Sequence, residues 1–328
     1  MRRRRYVACA CVGVFLYWFL GLGDYLLARS YDEGFHYPLD IDLRPVVQDI
    51  LAGSRPTLAP INFYPFKFLS TSTKCANYDK IDLLILVKSA LEHSERREAI
   101  RLTYGSEAVD GKVVRTVFFV GTHRQPDADV SARVAAERDR FEDLVQSDFE
   151  DSYYNMTIKT MQSVRWAVQS CPRAKHYLFT DDDMYISVRN VLRYAERSRP
   201  DEDLFAGYVF ESSPQRFRSS KWRVSLAEYP WDRWPPYVTA GAFFLSNKSL
   251  FTVHAASAFV QHFRFDDVYL GIVAKKVGIP LTHSDQFHFY KKKYSREGYS
   301  DVIASHGYED PRELIAVWTE QNALQRRG

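Results

Sequence analysis

The chain has 328 residues, of which 46% are hydrophobic, so it can bury a sizeable core. One large folded domain with a tail is therefore favoured over two equal domains. The formal net charge is +3 with mixed signs, which gives no indication of a nucleic-acid-binding surface. Aromatic residues make up 15% of the chain, and those that are exposed are suited to stacking on sugar rings.

The N-terminus is typical of a membrane signal anchor. Arg2 to Arg5 precede an uncharged run from Tyr6 to Gly23, which would be roughly 27 Å long as a helix. The arginines predict a cytoplasmic tail over residues 1–5 and a luminal remainder, a single-pass type II arrangement. A signal peptide that is cleaved is the alternative. Residues 24–74 are rich in proline and acidic residues without sustained periodicity, so we interpret them as a luminal stem.

The folded domain is predicted to begin at Cys75 with a buried strand over Ile81–Val87. A helix from Ser94 to Arg101 follows and carries three arginines. Strand, short loop and basic helix could form a nucleotide diphosphate site, although spacing alone favours an ordinary solvated helix. The chain has neither a GxGxxG motif nor a Walker loop, which argues against a dinucleotide dehydrogenase or a P-loop NTPase.

Further strands and helices alternate along the chain. We predict a strand over Val113–Val120, a helix over Ser131–Leu144, a polar-aromatic loop over Asp148–Asn155 and a helix over Thr157–Val168. This alternation predicts an α/β sheet.

Three carboxylates, Asp181, Asp182 and Asp183, follow the predicted strand Tyr177–Thr180. The period of a strand places Asp181 and Asp183 on one side, where their mutual repulsion requires a cation or a proton. Oxygen ligands at the carboxyl end of a strand favour Mg²⁺ or Mn²⁺. The alternative is an acidic turn before a helix that Ser187 caps.

Cys75 and Cys171 are the two cysteines of the predicted luminal part, and each lies shortly before a predicted core strand. Neighbouring parallel strands would bring them within the range of a disulfide, and an oxidising lumen would allow it to form. Asn155 and Asn247 each begin a sequon and are candidates for glycosylation.

Two further stretches have a functional and a structural interpretation. The aromatic, proline-rich segment Tyr229–Tyr237 could line a carbohydrate groove or pack on the core. Asp266 and Asp267 open an apolar helix, where they could be stabilised by the helix dipole or supply a general base. Among the C-terminal histidines, one could complete a metal site.

Several motifs, in order, resemble glycosyltransferase family 31, the β-1,3-glycosyltransferases. The matching pieces are Leu86–Ser89, Arg96–Arg101, Asp148–Phe149, Asp151–Thr160, Thr180–Asp183, Pro235–Tyr237 and Asp267–Gly271. Within that family the chain is most similar to invertebrate β-1,3-N-acetylglucosaminyltransferases.

The resemblance implies a GT-A fold, a Rossmann-like mixed sheet flanked by helices, as a catalytic domain over residues 75–328. It implies Asp267 as the base and Asp183 with His306 as ligands of Mn²⁺ or Mg²⁺. The implied nucleotide contacts are Lys88, Arg97, Arg101, Asp181 and Asp182.

The implied reaction is the inverting transfer of GlcNAc from UDP-GlcNAc, in β-1,3 linkage, to a glycolipid or glycoprotein acceptor. The mannose of mannosyl-glucosylceramide is the expected acceptor, and the Golgi membrane is the expected location. A β-1,3-galactosyltransferase that uses UDP-Gal and an inactive sugar-binding protein are the alternatives.

Overall fold

The computed structural model describes residues 2–106, 108–109, 111–125 and 127–325. Met1 of the predicted tail and residues 326–328 of the predicted catalytic domain lie outside that part. The chain divides into a small unit, residues 1–41 with 210–236, and a large unit, residues 42–209 with 237–328.

The small unit begins with two helices, α1 (Arg2–Phe19) and α2 (Leu22–Leu26). Gly21 separates them with a φ of 67°, and a Cβ at this position would collide with the carbonyl oxygen of Arg216. None of the helices in the described part is both long and apolar enough to cross a membrane. The predicted span over residues 6–23 is divided between α1, which also contains the arginines, and α2.

The aromatic, proline-rich segment forms much of the interior of the small unit. Tyr229, Trp231 and Trp234 are at most 6% exposed, and the rings of Tyr229 and Trp234 lie 4.0 Å apart. The buried guanidinium of Arg216 donates to the carbonyl oxygens of Tyr229 and Trp231 at 2.9 and 2.8 Å. These rings pack on their own unit, so the interpretation as a carbohydrate groove gains no support.

The large unit is built on a mixed sheet with the strand order β1-β4-β3-β2-β5-β8-β7-β9, and a second sheet has the order β10-β11-β6. The strands are β1 (Phe68–Ser70), β2 (Ile81–Lys88), β3 (Val114–Thr122), β4 (Leu144–Glu150), β5 (Ala174–Asp181), β6 (Met184–Ile186), β7 (Phe205–Phe210), β8 (Tyr237–Ser246), β9 (Leu281–His283), β10 (Phe287–His288) and β11 (Ala304–His306). The helices of this unit are α3 (Arg44–Leu51), α4 (Ser94–Leu102), α5 (Ala128–Phe141), α6 (Met156–Ser170), α7 (Val188–Ala195), α8 (Asn247–Ser257), α9 (Asp266–Val277) and α10 (Pro311–Gln325). The predicted α/β architecture with a mixed sheet is confirmed.

The centre of the sheet follows from its apolar strands. β2 is parallel to both β3 and β5, and seven of its eight residues are buried. Both faces of such a strand are covered, which explains its nearly continuous apolar sequence. Because Ile81 lies opposite Ala174 at the start of this pair, the preceding cysteines approach each other. Cys75 and Cys171 form a disulfide with their Cα atoms 5.6 Å apart.

One strand differs from the sequence prediction. Leu144, the predicted end of a helix, begins β4, and the predicted loop Asp148–Asn155 supplies the end of that strand. Helix α5 ends earlier because Glu142 adopts a left-handed conformation, with φ of 53°. Residues 42–74, which the sequence analysis assigns to the stem, belong to the large unit, where the Asn62 side chain donates to Val260 O at 2.6 Å.

Candidate active site

The site lies where β2 and β5 end. Lys88, the last residue of β2, is in register with Asp181, the last residue of β5. The antiparallel strand β8 brings Ala242 opposite Thr180, so its first half runs past the same edge. The carboxyl edge of a sheet is the usual ligand site of open α/β folds.

Lys88 joins the two acidic motifs. Its fully buried Nζ lies 3.0 Å from Asp181 Oδ1 and 2.9 Å from Asp266 Oδ2. It also donates to the carbonyl oxygen of Ala240 at 3.2 Å. Burial opposes the charge of Lys88, but the two carboxylates outweigh burial and raise its pKa above the ordinary value. Lys88 therefore acts as a fixed cation between carboxylates that are 85 residues apart in sequence (266 − 181 = 85).

The adjacent acids Asp266 and Asp267 differ in their surroundings. Asp266 is buried and accepts from Thr160 Oγ1 at 2.7 Å as well as from Lys88. Burial opposes its charge, yet Lys88 and Thr160 lower its pKa below the ordinary value. Asp267 is half-buried and accepts only from its neighbour Val268 N, at 2.7 Å, among the described contacts of its side chain.

Burial, aided by the charge of Asp266, raises the pKa of Asp267 to about 7. A carboxylate with a pKa near the working pH is suited to accept a proton during a reaction. Asp267 is thus the better base of the pair, because the charge of Asp266 is already committed to Lys88.

Asp182 points to the other side of the strand end and holds the loop between β2 and α4. It accepts from Ser89 Oγ at 2.7 Å, His93 Nδ1 at 2.8 Å and Arg96 Nη1 at 3.1 Å. Burial opposes its charge, but these donors lower its pKa. Protein groups therefore occupy the carboxylate that the resemblance implies for the nucleotide.

Arg97 and Arg101, the other implied nucleotide contacts, fasten α4 to its neighbours. Arg97 is fully buried and binds both carboxylate oxygens of Glu137 at 2.7 Å. Arg101 binds Glu137 at 2.7 Å and Asp143 at 2.8 and 2.9 Å. These two arginines of α4 are therefore neither solvated nor free for a nucleotide, because carboxylates of the chain already pair both guanidinium groups.

Asp183 and His306 come together although they are far apart in sequence. The residue after Asp183, Met184 in β6, pairs with His306 in β11, and His306 Nε2 lies 3.3 Å from Asp183 Oδ2. This contact raises the pKa of His306. A Cβ on Gly241 would lie 3.7 Å from His306 Cδ2 and 3.3 Å from Met184 Sδ, so glycine lets β8 pass close to the pair.

The residues can be tested against the divalent ion that the resemblance implies. No cluster of three or more His, Cys, Asp or Glu side chains suited to a metal occurs among the described residues. Asp183 Oδ1 is, however, buried without a hydrogen-bond partner, and the nearby imidazole is a second donor. Mg²⁺ is commonly held by one or two carboxylates together with substrate phosphates and water. Asp183 and His306 fit an ion that receives its remaining ligands from the substrate.

The two sequons lie in different environments. Asn155 is half-buried before α6 and donates to Glu150 O at 2.8 Å. Asn247 Nδ2 donates to Pro172 O at 2.9 Å, Ala174 O at 2.8 Å and the Tyr177 hydroxyl at 3.2 Å. A glycan on Asn247 Nδ2 would disrupt three contacts and one on Asn155 Nδ2 a single contact; glycosylation of either residue stays a prediction.

Sequence reasoning gave no role to the polar residues of α6 that support the site. Lys159 Nζ lies 2.6 Å from Asp151 Oδ1 and 2.5 Å from Ser89 O, while Thr160 binds Asp266. Both residues are buried. Helix α6 carries several other polar residues, so the Lys-Thr pair gives no distinct signal in the sequence, and the acid that Thr160 binds comes from a distant segment.

The chain is similar to known glycosyltransferases. The family model described as Galactosyltransferase matches residues 95–285. The beta-1,3-galactosyltransferase brn (Brainiac) of Drosophila melanogaster is 44% identical over 308 residues, 92% of this chain and 91% of that protein. The beta-1,3-galactosyltransferase bre-5 of Caenorhabditis elegans is 31% identical over 90% of this chain and 87% of that protein. The bifunctional glycosyltransferase WbbM superposes with a TM-score of 0.43 at 13% identity, over 76% of this chain and 52% of that one.

Proposed function

Because this chain belongs to the galactosyltransferase family, glycosyltransferase family 31, we propose that it transfers a hexose from a UDP-sugar to a glycan hydroxyl in β-1,3 linkage. The observation that carries this proposal is the separation of two kinds of acid at one edge of the sheet. Asp183 pairs with His306 and keeps an oxygen without a partner, whereas Asp267 has a pKa near 7.

In this proposal Asp267 accepts the proton of the acceptor hydroxyl as that oxygen attacks the anomeric carbon. One displacement with one base and no covalent intermediate inverts the configuration. Lys88 holds Asp181 and Asp266 in place, so the donor edge and the base keep a fixed relation. Asp183 and His306 would hold Mn²⁺ or Mg²⁺, which offsets the charge on the departing UDP.

The donor and the acceptor are finer parts of the proposal. We propose UDP-GlcNAc as the donor and the mannose of mannosyl-glucosylceramide as the acceptor, on the strength of the motifs shared with invertebrate β-1,3-N-acetylglucosaminyltransferases. UDP-Gal is the second candidate, since both relatives above are named beta-1,3-galactosyltransferases. We propose the Golgi lumen as the location, and the Cys75–Cys171 disulfide supports an oxidising compartment.

The test offers each donor separately to the full-length protein with Mn²⁺. Mannosyl-glucosylceramide and a galactose-ended glycolipid serve as acceptors, and the linkage of the product is determined by methylation analysis. We expect a β-1,3-GlcNAc product that disappears with EDTA. Turnover of UDP-Gal alone would replace UDP-GlcNAc as the proposed donor. If UDP is released from neither donor, the result supports the alternative of an inactive sugar-binding protein.

A further inference from the structure

Three aromatic rings form a surface in the large unit that sequence analysis did not single out. We call Tyr208, Phe289 and Tyr290 the ring surface. They lie in two separate segments of the chain. The centroids of Tyr208 and Phe289 are 4.6 Å apart, and those of Phe289 and Tyr290 are 5.2 Å apart. Phe289 is 40% exposed and Tyr290 is 52% exposed, so two large rings face solvent side by side.

Strand register places this surface beside the candidate active site. In β10, His288 pairs with Ser305 of β11, so Phe289 follows at the level of His306. In β7, a Cβ on Gly207 would lie 3.1 Å from Ala242 O, which puts the next residue, Tyr208, beside the part of β8 that passes the site. The register therefore places Phe289 at the level of His306 and Tyr208 beside β8, so the ring surface borders the candidate active site.

We propose that the ring surface binds a pyranose ring of the acceptor glycan, one sugar beyond the residue that receives the transferred hexose. This inference rests on the proposed function. The C–H face of a pyranose is apolar, and covering an exposed aromatic ring with it removes apolar area from water. A glycan that reaches the reacting hydroxyl must extend away from the site, and the strand register places these exposed rings beside it.

The angles between the rings favour a sugar over a nucleotide base. Tyr208 is tilted by 53° and Tyr290 by 87° relative to Phe289, so neither forms a parallel slot with it. Without a parallel slot a base would stack on one face only, whereas the apolar face of a pyranose needs no more than one ring. The His283 ring lies 4.9 Å from the Tyr208 ring, and its two nitrogens are bonded to Val209 N and Asp285 Oδ1, so it supports Tyr208 from behind.

The test compares Phe289→Ala and Tyr290→Ala in the full-length protein. Each ring is expected to contribute a roughly 3- to 10-fold change in acceptor KM, in line with measured aromatic contacts. Donor KM and UDP affinity should not change. Phe289→Trp and Tyr290→Phe keep a ring and should retain acceptor KM near the wild-type value.

Tyr78→Ala is the matched control. Tyr78 is 39% exposed and packs on Arg115, near the start of β3 and so at the opposite edge of the sheet. This variant should leave acceptor KM unchanged.

Saturation-transfer NMR with a free trisaccharide acceptor and UDP reads glycan binding without turnover. Weaker saturation in the Ala variants supports the ring surface, even if neither donor is transferred and the proposed function fails. Unchanged acceptor KM and saturation in both Ala variants of an active enzyme overturn the inference alone. Weakened UDP affinity with unchanged acceptor binding would also overturn it, since the rings would then contact the nucleotide.

Discussion

Replacing Lys88 by methionine should destabilise the protein strongly. Methionine keeps the length and apolar stem of the side chain but removes the charge that lies 3.0 Å from Asp181 and 2.9 Å from Asp266. Both carboxylates would then remain in the interior without their shared cation. Removing one partner of a buried ion pair typically costs about 3–5 kcal/mol, because the remaining charge is left uncompensated.

The loss should depend on pH in a defined direction. Lys88 has a raised pKa in the folded protein, so its contribution to stability is fully present at neutral pH. Without Lys88, the pKa of Asp181, already about 6 because of burial, should rise further, and that of Asp266 should rise with it. The folded variant would then take up a proton at a higher pH than the wild type does. Its deficit in unfolding free energy relative to the wild type should therefore shrink as the pH falls.

Urea unfolding followed by tryptophan fluorescence at pH 8, 7 and 6 measures both effects. Lys175→Met is the matched control, since Lys175 Nζ lies 2.6 Å from Asp82 but its side chain is 34% exposed. We expect the control to lose no more than about 1 kcal/mol. A Lys88→Met deficit as small as that of the control, or one that does not change with pH, would refute the role of Lys88 as a buried bridge.

Asp267→Asn should lower kcat roughly 10²–10⁴-fold while calorimetric UDP–Mn²⁺ binding stays intact; near-normal turnover would reduce Asp267 to a helix cap. Because the pKa of Asp267 is raised to about 7 and the base must be ionised, kcat should fall about tenfold per unit below that pH, and a flat rate from pH 5.5 to 7.5 would contradict this. Asp183→Ala and His306→Ala should weaken UDP binding in Mn²⁺ more than in EDTA, and equal losses in both would argue against a metal at this pair. Cys75→Ala should cost about 2–5 kcal/mol of stability in urea unfolding. Free thiols at both Cys75 and Cys171 in non-reducing peptide maps of the wild type would contradict the disulfide.

The sequence predicts the centre of the fold because local pattern and tertiary environment agree there. Ile81–Val87 is apolar on both faces, as a central parallel strand must be. At β4 the local pattern and the tertiary environment disagree. Asp148 and Glu150 are polar and exposed, so the sequence of this strand resembles that of a loop. After α1, Gly21 lies against the carbonyl oxygen of Arg216, which is 195 residues away in sequence (216 − 21 = 195) and leaves no local signal.

The candidate site shows the same division. The period of a strand separates Asp182 from Asp181 and Asp183, and the structure has Asp182 facing the β2–α4 loop. The residues that pair with the arginines of α4 could not be predicted from the local sequence. A pattern of arginines shows that a helix is basic, but whether it pairs with Glu137 or with a phosphate is decided by which acid the fold brings close.

The contrast between Asp266 and Asp267 explains why the local sequence pattern left the choice of base open and only the family resemblance indicated Asp267. Both acids open the same helix and receive the same favourable dipole. Their difference comes from Lys88 and Thr160, which contact Asp266 from β2 and α6. Those contacts fix a negative charge next to Asp267, and that charge, together with burial, moves the pKa of Asp267 toward neutrality. The proton affinity of the proposed base thus depends first on burial and then on a neighbouring charge that Lys88 and Thr160, more than 100 positions away in sequence, keep in place.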